Sequence, residues 1–295
     1  MNKDDGIIRK LYKNNVLNVE QEFAPEVHLE GICGSFAYGM AGAASDTDVV
    51  GVCIPPVDWV FPHTIGVIPG FGPSPPKFEN FQQHKIIFQE QEYDVSIYSI
   101  VRFFDLVAEN NPNMLDVLFL PDRCITHIDN IGKLIRQNRK LFLTKHSFHK
   151  FIGYAHAQLK KVRAKNPKES RAELIAKHGY DTKFASHVIR LALQGEQILI
   201  EHDLDIERNS EILKSVRNGA WKLEDLERWY TEKELQLNAL YTSSTLRNKP
   251  EWDELRRILL CCLEEKYGSL SAIISADVDS RILRKFEQIK QIINS

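Results

Sequence analysis

Apolar and polar positions along the first 120 residues follow the spacing of short β-strands. Residues 26–33 alternate between polar and apolar side chains, and residues 48–54 are mostly apolar and end at Pro55-Pro56. Residues 85–98 form a third segment of this kind. These three segments predict three strands.

The segments around the predicted strands favour helices or a loop. Helices are predicted over residues 6–20 and 99–110, and residues 36–43 are small and compatible with a helix. Residues 62–82 contain five prolines and three glycines, so they predict a long loop. The sequence leaves the role of the wider region 62–90 open.

The strand pattern disappears after Pro121, and helical spacing takes its place. Five segments carry this spacing: residues 145–164, 169–201, 222–240, 250–266 and 278–293. Two apolar stripes support the last two helices, namely Leu255, Ile258, Leu259, Cys262 and Leu263, and Ile282, Phe286, Ile289 and Ile293. We therefore predict an α/β (α+β) fold, with an α/β domain over residues 1–122 and an all-helical domain over residues 123–295.

The composition is that of a globular protein that can bury a core. The chain has 295 residues, of which 43% are apolar and 26% are charged. Its start is too polar for a signal peptide, and the dense apolar stretch at residues 258–263 is too short to span a bilayer. Five cysteines without a CxxC spacing indicate neither a disulfide framework nor a zinc site. We expect a cytoplasmic protein without a membrane partner.

Charge is distributed unevenly along the chain. The net formal charge is −2, yet residues 123–190 contain sixteen lysines and arginines against four acids, which is a surplus of twelve. Six of the ten histidines also lie in this segment. A solvated helical face is the simpler interpretation of a charge run, but a surplus of this size favours a surface that faces a polyanion.

Candidate chemistry lies between the first two predicted strands. The first strand runs into Gly34-Ser35, a short helix follows, and the second strand opens with Asp46 and Asp48. A glycine lets the backbone approach a phosphate closely, and the start of a helix points free N–H groups at it. Ser35 adds a hydroxyl donor.

Asp46 and Asp48 are two residues apart in a strand, so their side chains share one face. Neighbouring carboxylates repel each other unless a cation lies between them, and Mg²⁺ binds carboxylate and phosphate oxygens in this way. Two such ions can clamp the attacking and leaving oxygens of an in-line displacement. This chemistry needs a third acid, for which Asp94 is the candidate and Glu92 the alternative. A glycine-rich turn with a Ser-Asp helix cap is the simpler interpretation.

These motifs resemble the signature of the DNA polymerase β superfamily of nucleotidyltransferases, which is a hydrophobic residue, Gly-Ser, a short spacer and Asp-x-Asp in a strand. More narrowly, the chain is similar to the nucleotidyltransferases associated with RNA repair in bacteria and phages. The similar segments are residues 34–39, 45–52, 94–98 with Phe103 and Phe104, and 111–119. Thr47 departs from the superfamily, which usually has a hydrophobic residue there.

The resemblance implies a small mixed β-sheet core flanked by helices, with the helical domain closing a cleft. It implies Mg²⁺ or Mn²⁺ at Asp46, Asp48 and Asp94. Each of two polar, basic stripes in the helical half occupies one helix face: Tyr154, Gln158, Lys161 and Lys165, and Lys183, His187, Arg190 and Gln194. We predict nucleotide-binding roles for Gly34, Ser35, Lys161, Lys183, His187 and Arg190, although two solvated faces explain the stripes equally well.

Together these features predict an enzyme, a Mg²⁺-dependent nucleotidyltransferase that uses a nucleoside triphosphate. RNA, such as a tRNA or a damaged RNA end, is the first hypothesis for the acceptor because of the basic segment and the resemblance. Nucleotidylation of a protein hydroxyl, as in toxin–antitoxin minimal nucleotidyltransferases, is an alternative. A non-catalytic nucleotide- or RNA-binding module is another. The sequence predicts neither the base preference nor the oligomeric state.

Overall fold

The computed structural model describes residues 6–42, 46–162 and 169–271. Within these ranges five strands form one sheet: β1 (Val27–Ile32), β2 (Thr47–Cys53), β3 (Asn80–Phe88), β4 (Gln91–Ser99) and β5 (Ile125–Ile128). The helices of these ranges are α1 (Ile7–Lys13), α2 (Gly34–Ala37), α3 (Val57–Val60), α4 (Ile100–Ala108), α5 (Pro112–Leu118), α6 (Asn130–Gln137), α7 (His146–Val162), α8 (Glu169–His178), α9 (Thr182–Glu201), α10 (Ser210–Arg217), α11 (Leu223–Ser243) and α12 (Trp252–Tyr267). The predicted helix over residues 278–293 lies outside the described residues.

The strands form a mixed sheet in the order β3-β4-β2-β1-β5. β2 and β4 run parallel, whereas the other neighbouring strands are antiparallel. In the parallel pair Asp48 lies opposite Asp94, and the pairing continues in register to Cys53 and Ser99. The predicted fold class, a sheet with helices around it and a large helical part after it, is confirmed.

The sheet separates two hydrophobic clusters. Val49 and Val95 belong to a cluster that α1 covers with Ile8. Val52, on the opposite face, belongs to a larger cluster that continues into the helical half and includes Ile189 of α9. Because one apolar core joins the sheet to the helices, the helical half is packed against a defined face of the sheet.

The single strand predicted over residues 85–98 is wrong, because the chain forms a hairpin there. β3 and β4 pair antiparallel, and Gln89 and Glu90 turn the chain with φ angles of 50° and 65°. No glycine or asparagine marks this turn, so the alternating pattern conceals it. The loop predicted over residues 62–82 is too long, because Pro62–Ile65 form a short 3₁₀ helix and residues 80–82 already belong to β3.

The prediction that residues 123–295 are entirely helical is also wrong, because β5 pairs antiparallel with β1 at the edge of the sheet. This strand has four residues, which are too few for a clear alternating pattern. α6 follows and packs closely on β1, since a Cβ on Gly132 would lie 2.3 Å from the carbonyl oxygen of His28. The sheet therefore extends beyond residue 122, and the division into two domains stays a prediction.

The helices predicted over residues 145–164, 222–240 and 250–266 are confirmed as α7, α11 and α12. The segment 169–201 is two helices rather than one. Gly179 has a φ of 79° after α8, and the Asp181 side chain caps α9 by accepting hydrogen bonds from two backbone N–H groups. None of the described helices is both long and apolar enough to cross a membrane.

Glu30 is a buried carboxylate in β1 that anchors α1. It accepts hydrogen bonds from the backbone N–H groups of Ile7 at 2.6 Å and Ile8 at 2.9 Å, and from the Thr126 hydroxyl. Burial raises the pKa of Glu30, although these hydrogen bonds oppose the shift. Gly6 makes room for the carboxylate, because a Cβ there would lie 2.6 Å from Glu30 Oε2.

Candidate active site

Three carboxylates meet where β2 and β4 begin to pair. Asp48 and Asp94 lie opposite each other, and Asp46 immediately precedes β2. One carboxylate oxygen of each acid lies within 4.8 Å of the others. Among the described residues, no other cluster of histidine, cysteine and acidic side chains is arranged to hold a metal ion. Glu92 is not part of the cluster, which favours Asp94 as the third acid.

Burial and the two neighbouring carboxylates disfavour the charge of Asp48. Burial raises the pKa of Asp48 to about 6, and the negative charges of Asp46 and Asp94 add to the shift. Lys183 partly offsets it. A divalent cation among these oxygens would relieve the repulsion, and an all-oxygen ligand set suits Mg²⁺ or Mn²⁺.

Asp94 is held from the neighbouring strand. The Lys85 backbone N–H donates a hydrogen bond to Asp94 Oδ1 at 2.8 Å, and His84 Nδ1 lies 2.9 Å from Asp94 Oδ2. Burial alone would raise the pKa of Asp94, but these contacts hold it below its usual value. A β-bulge in β3, between Gln83 and Ile86, points both groups at the carboxylate.

Position 34 requires glycine, because a side chain there would clash with Asp48. Its φ is +62°, and a Cβ at this position would lie 2.0 Å from Asp48 Oδ2. The preceding Cys33 N–H donates to the Asp48 carbonyl oxygen at 2.7 Å, so the two backbones are locked together here. From the sequence, this glycine is expected to let the backbone approach a phosphate closely. The structure adds that it leaves space for an acid of the cluster.

A cleft of about 570 Å³ lies beside the acids, between the sheet and the helical half. Its lining includes residues of both halves: Gly34, Ser35, Asp46, Asp48, Lys183, His187, Arg190 and Arg217. Five of the six predicted nucleotide-binding residues are among them. The second basic stripe, on α9, therefore lies on the same cleft as the Gly-Ser turn.

Lys161, the sixth of these residues, does not line the cleft. It is exposed on α7, and its Nζ lies 5.2 Å from the centre of the Phe184 ring. Tyr154 of the same predicted stripe accepts a hydrogen bond from the Asn111 amide at 3.1 Å. Lys165 lies outside the described residues. The expectation that both stripes line one cleft is therefore wrong at Lys161.

A buried hydrogen-bond network forms the floor of the cleft. Asp116 of α5 accepts hydrogen bonds from Tyr38, Arg190 and Gln194. Burial raises the pKa of Asp116, and the charge of Arg190 opposes that shift. The Arg190 guanidinium also lies over the Tyr38 ring, 4.6 Å from its centre. Arg190 thereby joins α9 to α5 and to the segment after α2.

The sequence prediction did not include Asp116, Tyr38 or Arg217 among the candidate site residues. Asp116 carries a signal that could have found it, because this acid lies among apolar residues of the segment 111–119. An acid on an apolar helix needs a buried partner. Arg217 has no comparable signal, since a lysine or arginine in the last turn of an amphipathic helix is common, and α10 has both Lys214 and Arg217 there.

Acids from outside the basic segment neutralise part of its surplus charge. Within the described residues, five lysine and arginine side chains of this segment pair with such acids: Arg123 with Glu207, Arg136 with Asp122, Lys140 with Asp203, Lys150 with Glu109, and Arg190 with Asp116. The folded protein therefore presents less net positive charge over this segment than the sequence predicts.

Comparison with known proteins adds an independent observation. A family model described as the RNA repair pathway DNA polymerase beta family matches residues 8–260. That range contains the acid cluster and the whole lining of the cleft. No curated protein sequence matches the chain. The match confirms the resemblance to nucleotidyltransferases associated with RNA repair.

Proposed function

The chain belongs to the RNA repair pathway DNA polymerase beta family, and from this premise we propose that it transfers a nucleotidyl group from a nucleoside triphosphate to RNA. One observation carries the proposal: Asp46, Asp48 and Asp94 place carboxylate oxygens within 4.8 Å of one another beside a cleft. A structural role does not require three acids at this distance, because their repulsion raises the free energy of the folded protein. A catalytic metal site, by contrast, requires acids this close together.

Asp46, Asp48 and Asp94 would hold Mg²⁺ or Mn²⁺. When bound, these ions stabilise the negative charge that develops on the phosphate oxygens during transfer. The acids bind as carboxylates, and the contacts from His84 and the Lys85 N–H keep Asp94 ionised and oriented.

The triphosphate is bound by groups that line the cleft next to the acids. Ser35 offers a hydroxyl donor, and the backbone at Gly34 is close enough to Asp48 to bring the phosphate to the metal ligands. Lys183 approaches from α9 and offsets the triphosphate charge, and His187 of the same helix offers a ring N–H donor. Arg190 acts less directly, because its guanidinium is bonded to Asp116.

RNA is proposed as the acceptor because the family is described by an RNA repair pathway. Exposed lysines on α7 and α8, namely Lys160, Lys161 and Lys177, offer phosphate contacts outside the cleft. Lys161 is therefore assigned to RNA contacts on this outer surface and not to the nucleotide-binding cleft. Such contacts weaken as salt rises, because each neutralised phosphate releases counterions.

The test is to incubate the protein with each α-labelled nucleoside triphosphate, Mg²⁺ or Mn²⁺, and RNAs of defined ends. We expect the wild type to place covalent label on RNA and Asp48→Asn to place none. Label on protein instead of RNA would replace the RNA acceptor by a protein hydroxyl. No label on any acceptor with any of the triphosphates would overturn the proposed activity.

A further inference from the structure

The cleft continues past the acid cluster along the same face of the sheet. β2 and β4 pair in register, so each step of two residues places the next pair of side chains on that face. Val50 and Ser96 follow the acids after about 7 Å, and Tyr98 follows after about 13 Å. Gln82 of β3 lies opposite Ser96 in the antiparallel pair. These residues all line the cleft.

The residues on this part of the cleft carry no charge. Asn113 and Met114 of α5 also line it, so we define the neutral half of the cleft by six residues: Val50, Gln82, Ser96, Tyr98, Asn113 and Met114. The charged residues of the cleft, by contrast, are the acids of the cluster, the basic residues of α9 and α10, and Asp116, which is paired with Arg190. The neutral half therefore suits the uncharged part of a nucleotide.

Polar side chains in the neutral half are available to a ligand. Within the described part of the chain, the side chains of Gln82, Ser96 and Asn113 form no hydrogen bond with another residue. Those of Tyr38, Asp116 and Arg190 on the cleft floor are, by contrast, bonded to one another. Amide side chains offer both a donor and an acceptor, which is what the edge of a nucleobase requires.

We infer that the neutral half of the cleft is a nucleobase subsite, an inference that rests on the proposed nucleotidyl transfer. The Tyr98 ring and Met114 form the apolar surface for the flat faces of the base. Gln82, Ser96 and Asn113 bind its polar edge. It begins about 7 Å from the acids along the strands, so a nucleotide whose phosphate is held at the acid cluster can reach it with its base.

Two nucleotides could supply this base, the donor triphosphate or the terminal nucleotide of the acceptor. The chemistry of the subsite is the same for both. The donor case predicts that changing the subsite alters the preference among the four triphosphates. The acceptor case predicts an altered preference among RNAs that differ in their terminal base.

The test uses Gln82→Ala and Asn113→Ala, with Gln236→Ala on the exposed face of α11 as a matched control. The measurements are the dissociation constants of the four triphosphates with Mn²⁺ and the affinities of four RNAs that differ in their terminal nucleotide. Each set of measurements gives a selectivity ratio, namely the affinity for the preferred base over the affinity for the others, among the triphosphates or among the RNAs. We expect either subsite variant to reduce one of these two ratios about tenfold, and the control to change neither. Tyr98→Leu should weaken binding of every base about tenfold or more, with thermal unfolding checking its fold.

The outcomes separate the subsite from the proposed function. If the wild type binds triphosphates and RNA, but both selectivity ratios are unchanged in Gln82→Ala and Asn113→Ala, the subsite is overturned and the transferase proposal stands. If the wild type binds no triphosphate at any Mn²⁺ concentration, both proposals fail together.

Discussion

His84 on the edge strand β3 contacts the third acid of the cluster, with its Nδ1 2.9 Å from Asp94 Oδ2. The His84 side chain is 62% exposed, so hydrophobic burial does not explain its place. The bulge that brings it there also holds Lys85 at a φ of 57°, in the left-handed region that non-glycine residues seldom occupy. Backbone strain of this kind concentrates at functional sites. We therefore interpret His84 as a positioning residue for Asp94.

The first prediction concerns His84→Ala. Loss of the contact should let the Asp94 carboxylate rotate, and the affinity for Mn²⁺ should fall about tenfold to a hundredfold, as it does when the partner of a metal ligand is removed. Titration with Mn²⁺, followed by electron paramagnetic resonance, measures this affinity directly. The control is His63→Ala, an exposed histidine outside the cleft. An unchanged Mn²⁺ affinity in His84→Ala would exclude the positioning role.

The second prediction is that Asp48→Asn removes activity without lowering stability. Turnover should fall by at least about a hundredfold, because the metal site loses a charged ligand. The metal-free variant should unfold at the same or a higher temperature than wild type, because burial and two neighbouring acids already disfavour the Asp48 charge. Turnover and differential scanning calorimetry without metal are the measurements. A variant that loses both activity and stability would point to a structural role for Asp48.

The third prediction compares two glycines. Gly34→Ala should abolish metal binding and lower the melting temperature, since its Cβ would lie 2.0 Å from Asp48 Oδ2 and its φ is +62°. Gly153→Ala, in the middle of α7, has nothing within 4 Å of the new Cβ and should raise stability by roughly 0.5–1 kcal/mol. Mn²⁺ affinity and thermal unfolding of both variants are the measurements. If Gly34→Ala keeps wild-type Mn²⁺ affinity, the close approach to Asp48 has no functional consequence.

Local chemistry explains why the acid cluster can be predicted from the sequence. Gly34, Ser35, Asp46 and Asp48 lie within fifteen residues, and their spacing already places them at adjoining ends of a strand, a turn and a second strand. Asp94 follows because it lies in the next strand that pairs with β2. An arrangement that depends on residues close together in the sequence can be inferred from that segment alone.

Long-range partners and concealed turns could not be predicted in this way. Arg190 and Asp116 are 74 residues apart, and no pattern in either helix indicates that they form an ion pair. The turn at Gln89 and Glu90 lacks the residues that usually mark hairpins, so β3 and β4 merged into one predicted strand. His84 was missed as a consequence, because its contact with Asp94 depends on that hairpin.

The fourth prediction is that Arg190 contributes mainly to the stability of the fold and only indirectly to nucleotide binding. Arg190→Ala should lower the free energy of unfolding by roughly 3–5 kcal/mol, because it leaves the buried Asp116 carboxylate without its charge partner. Arg190→Lys should not restore it, because one ammonium cannot reproduce the contacts of the guanidinium with both Asp116 and Gln194. Urea unfolding measures both variants. If Arg190→Ala weakened triphosphate binding at wild-type stability, Arg190 would contact the nucleotide directly.

The last prediction concerns pH and Glu30, the buried carboxylate that anchors α1. Burial raises the pKa of Glu30 in the folded protein above the 4.5 of an exposed glutamate. The folded state therefore keeps this proton at pH values where the unfolded state has released it. Ionising Glu30 in the folded protein then costs stability as pH rises from 4.5 through its folded pKa, and lowering the pH restores that stability.

Glu30→Gln removes this titration and keeps the size of the side chain. The difference in unfolding free energy between wild type and Glu30→Gln should therefore shift in favour of wild type as pH falls from 7 towards 4.5. Other titrating groups contribute almost equally to both proteins and cancel in the difference. Urea unfolding at several pH values measures it. A difference that stays constant with pH would mean that the hydrogen bonds from Ile7, Ile8 and Thr126 balance burial and leave the pKa of Glu30 unshifted, whereas a shift towards the variant on acidification would mean that they outweigh burial and lower it.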